Sequence, residues 1–300
     1  MLGREGFVAA NVSAVTHLPA GADDGTTTTE PTDSTDAGRS RVIRPGWALA
    51  IAAWAIYTFG MAMAWLVTDN SYDDTAEVLR DMWWVLAILI VIMFALVRLS
   101  GLRVHRSWRL GWPSLLLIVP VAISLVGVVV PITEPGTEWT LVWVALFGTL
   151  LVGIGEETAF RGIVLNSIAT RTSVVVAVLA SGVLFGLMHS VNAMIAPVGD
   201  TVTQVIVTSV TGITFGVIYV ASGGNLVLVI CLHWLYDFAL IGPLATTAGE
   251  NTMGVVAPFF LLANVAALVI LFVRYRGLRW PEMAKKASPA EQPAPGQPTT

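Results

Sequence analysis

The chain has 300 residues, of which 55% are hydrophobic and only 12% are charged, and its formal net charge is −4. Soluble domains carry about 25% charged residues, so this composition excludes most soluble enzymes. The net negative charge gives no general basic surface for nucleic acid. Apolar stretches of about 20 residues, each long enough to cross a bilayer, recur along the chain. The sequence therefore predicts an all-α polytopic membrane protein.

The two ends of the chain differ from the middle. Residues 1–40 are rich in Thr, Asp, Gly and Ser, and residues 281–300 are rich in Pro, Ala and Gln. Such segments bury too little apolar surface to offset their ordering entropy, so we predict a disordered cytoplasmic tail at each end. Between the tails we predict helices 1–3 with their loops over 41–138, a core of helices 4–7 over 139–241, and helix 8 with its flank over 242–280.

Eight apolar segments are predicted to span the membrane. In chain order they cover 46–67, 82–98, 113–132, 139–169, 173–194, 201–221, 225–241 and 254–273. Lys and Arg accumulate in cytoplasmic loops, and here they lie before segment 1 and after segments 2, 4 and 8, whereas the loops after segments 1 and 3 are acidic. We therefore predict a multi-pass protein of the cell membrane with both termini cytoplasmic.

Glycines recur at a spacing of four residues in two of the segments. Gly182 and Gly186 lie in segment 5, and Gly212 and Gly216 lie in segment 6. This spacing lets helix backbones approach closely. We interpret both pairs as ordinary small-residue packing in a helical bundle.

The informative residues are ionisable side chains inside the predicted spans, where each costs about 2.5–3.5 kcal/mol on insertion scales. They are Glu156, Glu157 and Arg161 in segment 4, His189 in segment 5, and His233 and Asp237 in segment 7. Each of them needs either a partner or a chemical role.

Spacing along the helices indicates the partners. Glu157 and Arg161 are four residues apart in the order that favours an ion pair, while Glu156 points about 100° away from Glu157. Arg161 can therefore neutralise one carboxylate and leave Glu156 to act as a general base. His233 and Asp237 are also four residues apart, so they share a face and could form a hydrogen bond.

Heights along the antiparallel helices indicate one shared cavity. Counted at 1.5 Å per residue from the turn at Arg171–Thr172, Glu156 lies about 22 Å along its segment and His189 about 26 Å along the next one. Asp237 lies about 18 Å from Asn225, the predicted start of segment 7. The side chains of Glu156, His189 and Asp237 could therefore converge within the membrane.

A purely structural interpretation stays open for part of this set. A salt bridge satisfies both Glu157 and Arg161, so this pair could serve only to fix the register of its helix. Two histidines and a spare carboxylate on three separate spans exceed what helix register requires.

The ionisable residues fall in three short motifs that occur in order along segments 4, 5 and 7. Residues 156–161 (EETAFR) have the form EExxxR, residues 185–189 (FGLMH) the form FxxxH, and residues 233–237 (HWLYD) the form HxxxN/D. Together they resemble the motifs of the CAAX protease and bacteriocin-processing (CPBP, or Abi) family of intramembrane proteases, which includes the type II CAAX prenyl endopeptidases. The resemblance covers about residues 139–241.

The resemblance implies an eight-helix fold around an intramembrane cavity in which a peptide bond is hydrolysed. The catalytic residues that it implies are Glu156, Glu157, Arg161, His189, His233 and Asp237. Among them Glu156 with His189 activates water, His233 with the last motif position stabilises the oxyanion, and the remaining pair supports the site. The last position is often Asn in the prenyl endopeptidases but is Asp237 here. Because an ionised carboxylate cannot donate a hydrogen bond, we expect Asp237 to orient His233 or to be protonated.

The role of a metal is open at this stage. Glu156, His189 and His233 have the ligand types and number of a catalytic zinc site with an open position for water. The chain has no HExxH motif, and the family's description as metalloproteases stands beside a metal-free glutamate mechanism. We favour the metal-free mechanism, with Zn²⁺ as the alternative.

Two functions from other classes compete with proteolysis. A non-catalytic membrane scaffold or bacteriocin-immunity-type protein could keep the motifs for partner binding. A proton-coupled transporter also uses buried Glu and His, but the sequence shows no inverted repeat or paired broken helices. We predict an intramembrane endopeptidase whose partners are the lipid bilayer and a membrane-associated peptide or protein substrate, with no nucleic acid.

Overall fold

The computed structural model describes residues 42–67, 75–132, 137–241 and 252–280. The tails predicted at 1–40 and 281–300 lie outside the described residues. Eight helices lie within these ranges, and no strand occurs in them. They are α1 (Trp47–Val67), α2 (Thr75–Ser100), α3 (Leu115–Ile132), α4 (Trp139–Ala169), α5 (Val174–Met188), α6 (Val198–Ala221), α7 (Leu226–Ile241) and α8 (Thr252–Arg274).

The helices confirm the predicted all-α polytopic fold. Seven of the described helices are long and apolar enough to cross a membrane, and α7, with 16 residues, is a shorter apolar helix. The eight predicted segments coincide with α1–α8. α2 begins at Thr75 rather than at residue 82, because a helix satisfies its own backbone beyond the apolar stretch that hydropathy detects.

Polar side chains cap the starts of α5 and α7, and glycine forms the turn between α6 and α7. The side-chain oxygen of Ser173 accepts a hydrogen bond from the Val176 amide at the start of α5, and that of Asn225 accepts one from the Leu228 amide at the start of α7. Both are caps that satisfy amides without a partner inside their helix. The α6–α7 turn uses Gly224 at φ 87°, a conformation that glycine adopts without steric cost.

Segments that connect or flank the helices meet at one end of the bundle. Three backbone hydrogen bonds join segments that are remote in sequence, from Val42 to Leu99, from Arg106 to Gly224 and from Val174 to Leu278. The exposed arginines at this end are Arg44, Arg98, Arg103, Arg106, Arg109, Arg171, Arg274, Arg276 and Arg279. No described Asp or Glu side chain lies among them. The end is therefore strongly basic, as expected for a cytoplasmic face, and the orientation itself stays a prediction.

The crossing of α5 and α6 depends on glycine. A Cβ atom on Gly182 would lie 2.8 Å from the backbone nitrogen of Ile213 and 3.0 Å from the carbonyl oxygen of Ser209, and one on Gly212 would lie 3.2 Å from the Cα of Gly182. The two backbones are therefore in direct contact, which agrees with small-residue packing.

We expect Gly182→Ala to lower the temperature of thermal unfolding by several degrees. The added methyl group meets backbone atoms that cannot rotate away, and overpacking of this kind costs about 1–3 kcal/mol. Gly199→Ala is the matched control, because no atom lies within 4 Å of a Cβ at that position. Tryptophan fluorescence of the detergent-solubilised protein reports the transition, and equal unfolding temperatures for the two variants would contradict the close crossing.

Candidate active site

α4 changes its geometry inside the first motif. Trp139–Glu157 is α-helical, Thr158–Leu165 is π-helical, and Asn166–Ala169 is α-helical again. A π-helix closes its hydrogen bonds over five residues, is rare, and is frequent at functional sites. Every residue of the π-helical segment is buried. The EExxxR motif therefore crosses a change of helix type that its letters do not indicate.

Asn166 supports this wide turn from its C-terminal end. Its side-chain nitrogen donates to the carbonyl oxygens of Arg161, at 2.8 Å, and Gly162, at 3.0 Å, and to the Tyr219 hydroxyl, at 2.8 Å. Its side-chain oxygen accepts a hydrogen bond from Nη2 of Arg106, at 3.1 Å. The basic end of the bundle is thus connected to the backbone that carries Arg161.

Arg161 is fully buried, and its guanidinium has a partner on each side. Nη1 donates to Oε1 of Glu157 at 2.7 Å, and Nη2 donates to the carbonyl oxygen of Gly212 at 2.8 Å. The group lies over the Phe185 ring at 4.7 Å and over the Phe215 ring at 5.2 Å. These contacts compensate for the loss of hydration that a buried charge suffers.

His233 lies at the centre of the carboxylates. Its Nδ1 is 2.7 Å from Oε1 of Glu157, the same oxygen that Arg161 contacts. Because an ionised carboxylate only accepts, Nδ1 carries the proton of this bond. Nε2 faces Oδ2 of Asp237 at 3.3 Å and Oε2 of Glu156 at 3.7 Å. One imidazole therefore contacts all three carboxyl groups of the motifs.

His189 lies where α5 gives way to a short 3₁₀ turn, His189–Met194. Its Nδ1 is 3.0 Å from the carbonyl oxygen of Phe185. A carbonyl can only accept, so the proton is on Nδ1 and the lone pair of the neutral ring is on Nε2. The Phe185 ring lies 5.1 Å from the His189 ring and 5.8 Å from the His233 ring. The two imidazoles thus lie against one aromatic side chain.

Glu156 differs from Glu157 in its surroundings. Its carboxylate is buried, and its distance to Nε2 of His233 exceeds hydrogen-bond length. No described residue donates a hydrogen bond to it. Glu156 therefore keeps its lone pairs for an acceptor role, whereas one oxygen of Glu157 serves both Arg161 and His233.

Sequence reasoning missed two parts of this arrangement. The i,i+4 spacing predicted Asp237 as the partner of His233. It did not predict the shorter contact between His233 and Glu157, because these two residues are on different helices. It also missed Phe215, whose ring stacks on His233 at 5.0 Å. One aromatic residue among many apolar ones carries no signal of its own.

The described residues contain no group of three or more His, Cys, Asp or Glu side chains that could hold a metal ion. The candidate ligands were Glu156, His189 and His233, and they do not form such a group. This arrangement does not fit a three-ligand zinc site, so no chemical step below uses a metal. The metal-free mechanism stays a prediction.

Comparison with known families identifies the middle of the chain. Residues 138–239 match the family described as type II CAAX prenyl endopeptidase Rce1-like. This part of the chain is similar to a family of CAAX-type proteases. The match covers about a third of the chain, includes all six motif residues, and leaves α1–α3 and α8 outside it. No curated protein and no solved structure matched.

We expect Arg161→Met to destabilise the protein by about 3–5 kcal/mol, because it leaves the Glu157 carboxylate buried without the Arg161 counter-ion. The double variant Glu157→Gln/Arg161→Met should recover part of this loss, since neither charge then remains. The measurement is denaturant unfolding in detergent.

The matched control is Arg80→Met, which removes an arginine from an exposed pair with Asp81. Such pairs contribute about 0–1 kcal/mol. If Arg161→Met lowered the free energy of unfolding no more than Arg80→Met does, the buried pair would not stabilise the protein.

Proposed function

We propose that this protein is an intramembrane endopeptidase that hydrolyses a peptide bond in a membrane-associated peptide or protein. The family match supports a protease of the CAAX type. The observation that carries the mechanism is the difference between adjacent carboxylates: Arg161 neutralises Glu157, while Glu156 accepts no hydrogen bond from a described residue. This difference is what a general base beside a structural carboxylate requires.

Glu156 takes a proton from a water molecule, whose oxygen attacks the carbonyl carbon of the scissile bond. His189 orients this water, because its unprotonated Nε2 can accept the second hydrogen. Fixing both hydrogens directs the oxygen lone pair at the carbonyl carbon, which lowers the entropy cost of the attack.

His233 stabilises the oxyanion that the attack creates. Glu157 holds the ring through Nδ1, and Nε2, which carries its own proton before the attack and keeps it throughout the cycle, donates to the oxyanion. Asp237 orients the same ring from its own helix, at 3.3 Å. The carbon–nitrogen bond then breaks, and the leaving amine takes the proton from Glu156. All atoms and charges return to their starting state in the enzyme.

The place of the site in the bundle supports a substrate held in or at the membrane. Glu156, Glu157 and Arg161 are buried within a helix long and apolar enough to span the bilayer. A scissile bond that reaches them must enter between helices. We propose that the protein lies in the cell membrane with the arginine-rich end and both termini in the cytoplasm.

We expect Glu156→Gln to lower the rate of cleavage by about 10²–10⁴-fold, because an amide cannot take the proton from water. Membrane-protein termini in cells that express the wild type or the variant can be compared by mass spectrometry. Termini that depend on the wild type identify cleavage sites. Glu138→Gln makes the same chemical change on an exposed residue just before α4, and it should cleave like the wild type.

The same variant separates proteolysis from its main alternative. If Glu156→Gln produced the same termini as the wild type, glutamate-dependent hydrolysis would be wrong. If a cellular phenotype of the wild type survived in the variant while cleavage was lost, the scaffold or immunity-type function would account for that phenotype.

We expect cleavage by the purified protein to survive dialysis against EDTA and 1,10-phenanthroline. The mechanism assigns every proton transfer to Glu156 and its neighbours and none to a metal-bound water. A loss of activity that added Zn²⁺ restores would contradict the metal-free mechanism and support Zn²⁺ at the site. Unfolding temperatures measured before and after dialysis separate loss of a catalytic ion from loss of the fold.

A further inference from the structure

Tyr57 of α1 carries a buried hydroxyl group without a hydrogen-bond partner in the described part of the chain. The residue is fully buried, and its oxygen finds no hydrogen-bond partner among the residues that the structure describes. A buried donor without an acceptor costs free energy, and phenylalanine would avoid that cost with the same ring. Such groups in a folded protein call for an explanation in function or in an unseen partner. Tyr57 lies outside the segment that matches the family.

The hydroxyl lies directly against the residue that precedes the proposed base. A Cβ atom on Gly155 would be 2.6 Å from the Tyr57 oxygen. Any other residue at position 155 would collide with it. The Tyr57 ring packs edge-on against Phe160, at 6.1 Å, and Phe160 packs edge-on against Phe185, at 5.1 Å. α1 is thereby held against α4 where the catalytic motif begins.

The motif carboxylates are near enough to the Tyr57 hydroxyl to act on it electrostatically. Glu156, Glu157 and Asp237 all act electrostatically on the Tyr57 hydroxyl. Oε2 of Glu157 also has no partner among the described residues, but that carboxylate is held through Oε1 by Arg161 and His233. Glu156 adjoins Gly155 in the chain, has the largest electrostatic effect of the three, and accepts no hydrogen bond from a described residue. A phenol donates readily to a carboxylate, and a bond to a charged acceptor is stronger than one to a neutral acceptor.

We propose that Tyr57 is a positioning residue that donates a hydrogen bond to the Glu156 carboxylate during catalysis. The inference rests on the proposed function of Glu156 as the base. In the substrate-free arrangement Oε2 of Glu156 lies 3.7 Å from Nε2 of His233. When the substrate oxyanion accepts a hydrogen bond from Nε2 of His233, the Glu156 carboxylate turns toward α1 and accepts a hydrogen bond from Tyr57. One carboxylate oxygen is then fixed, and the other takes the proton from water.

Tyr57→Phe tests the inference because it removes only the hydroxyl group. The probe is a synthetic peptide that spans the strongest cleavage site found by the comparison of termini. We expect kcat to fall about 10- to 100-fold, the loss that corresponds to a hydrogen bond to a charged group. KM should stay within about two-fold of the wild-type value, because the hydroxyl does not touch substrate. The unfolding temperature should equal or exceed that of the wild type, since no native hydrogen bond is lost.

Two further variants test whether Tyr57→Phe lowers kcat through Glu156. Tyr275→Phe makes the same change on a buried tyrosine at the basic end of the bundle and should match the wild type in kcat and KM. Tyr57→Phe added to Glu156→Gln should slow the reaction no further, because residues that act as a unit are not additive.

Several outcomes would overturn the inference. An unchanged kcat in Tyr57→Phe, a change in KM alone, or a fall in kcat that follows a fall in unfolding temperature would each do so. Full additivity with Glu156→Gln would show that Tyr57 acts elsewhere. If Tyr57→Phe is fully active while Glu156→Gln is inactive, this inference fails and the proposed function stands. If Glu156→Gln is fully active, both fail.

Discussion

One oxygen atom organises the centre of this protein. Oε1 of Glu157 contacts the guanidinium of Arg161 and the imidazole of His233, each at 2.7 Å, deep within the bundle. Glu157 and Arg161 are on α4 and His233 is on α7, so this single carboxylate joins the two helices. Because an unpaired charge in this environment is costly, the arrangement holds only if the helices keep their relative positions. The fold and the site therefore depend on each other through this contact.

The surrounding packing holds these charges in place. Phe185 and Phe215 lie against Arg161 and His233, and they come from α5 and α6, whose backbones touch at glycine. A wider crossing would move the rings away from the guanidinium. Asn166 supports the π-helical turn and contacts Arg106 at the basic end. Aromatic, glycine and amide side chains thus set the geometry in which Arg161 and His233 contact Glu157, while no described residue donates a hydrogen bond to Glu156.

Much of this could be predicted from the sequence, because membrane spans and charges within them leave local signals. The eight apolar segments coincide with eight helices, and the i,i+4 spacing of Glu157 and Arg161 predicts the ion pair that the structure contains. The three motifs predicted a likeness to CAAX-type proteases, and the family match over residues 138–239 supports it. The catalytic roles stay predictions. The π-helical turn and the partner of His233 could not be predicted, since neither depends on neighbours in the chain.

The sequence by itself determined the all-α membrane fold, the family and the set of ionisable residues, because hydropathy and helical spacing are local properties. Only the tertiary structure decided that His233 shares the Glu157 oxygen that Arg161 contacts. It also decided that Tyr57, from a helix outside the family match, lies against Gly155, the residue before the proposed base. These are contacts between residues far apart in the chain, and the packing of whole helices against each other sets them.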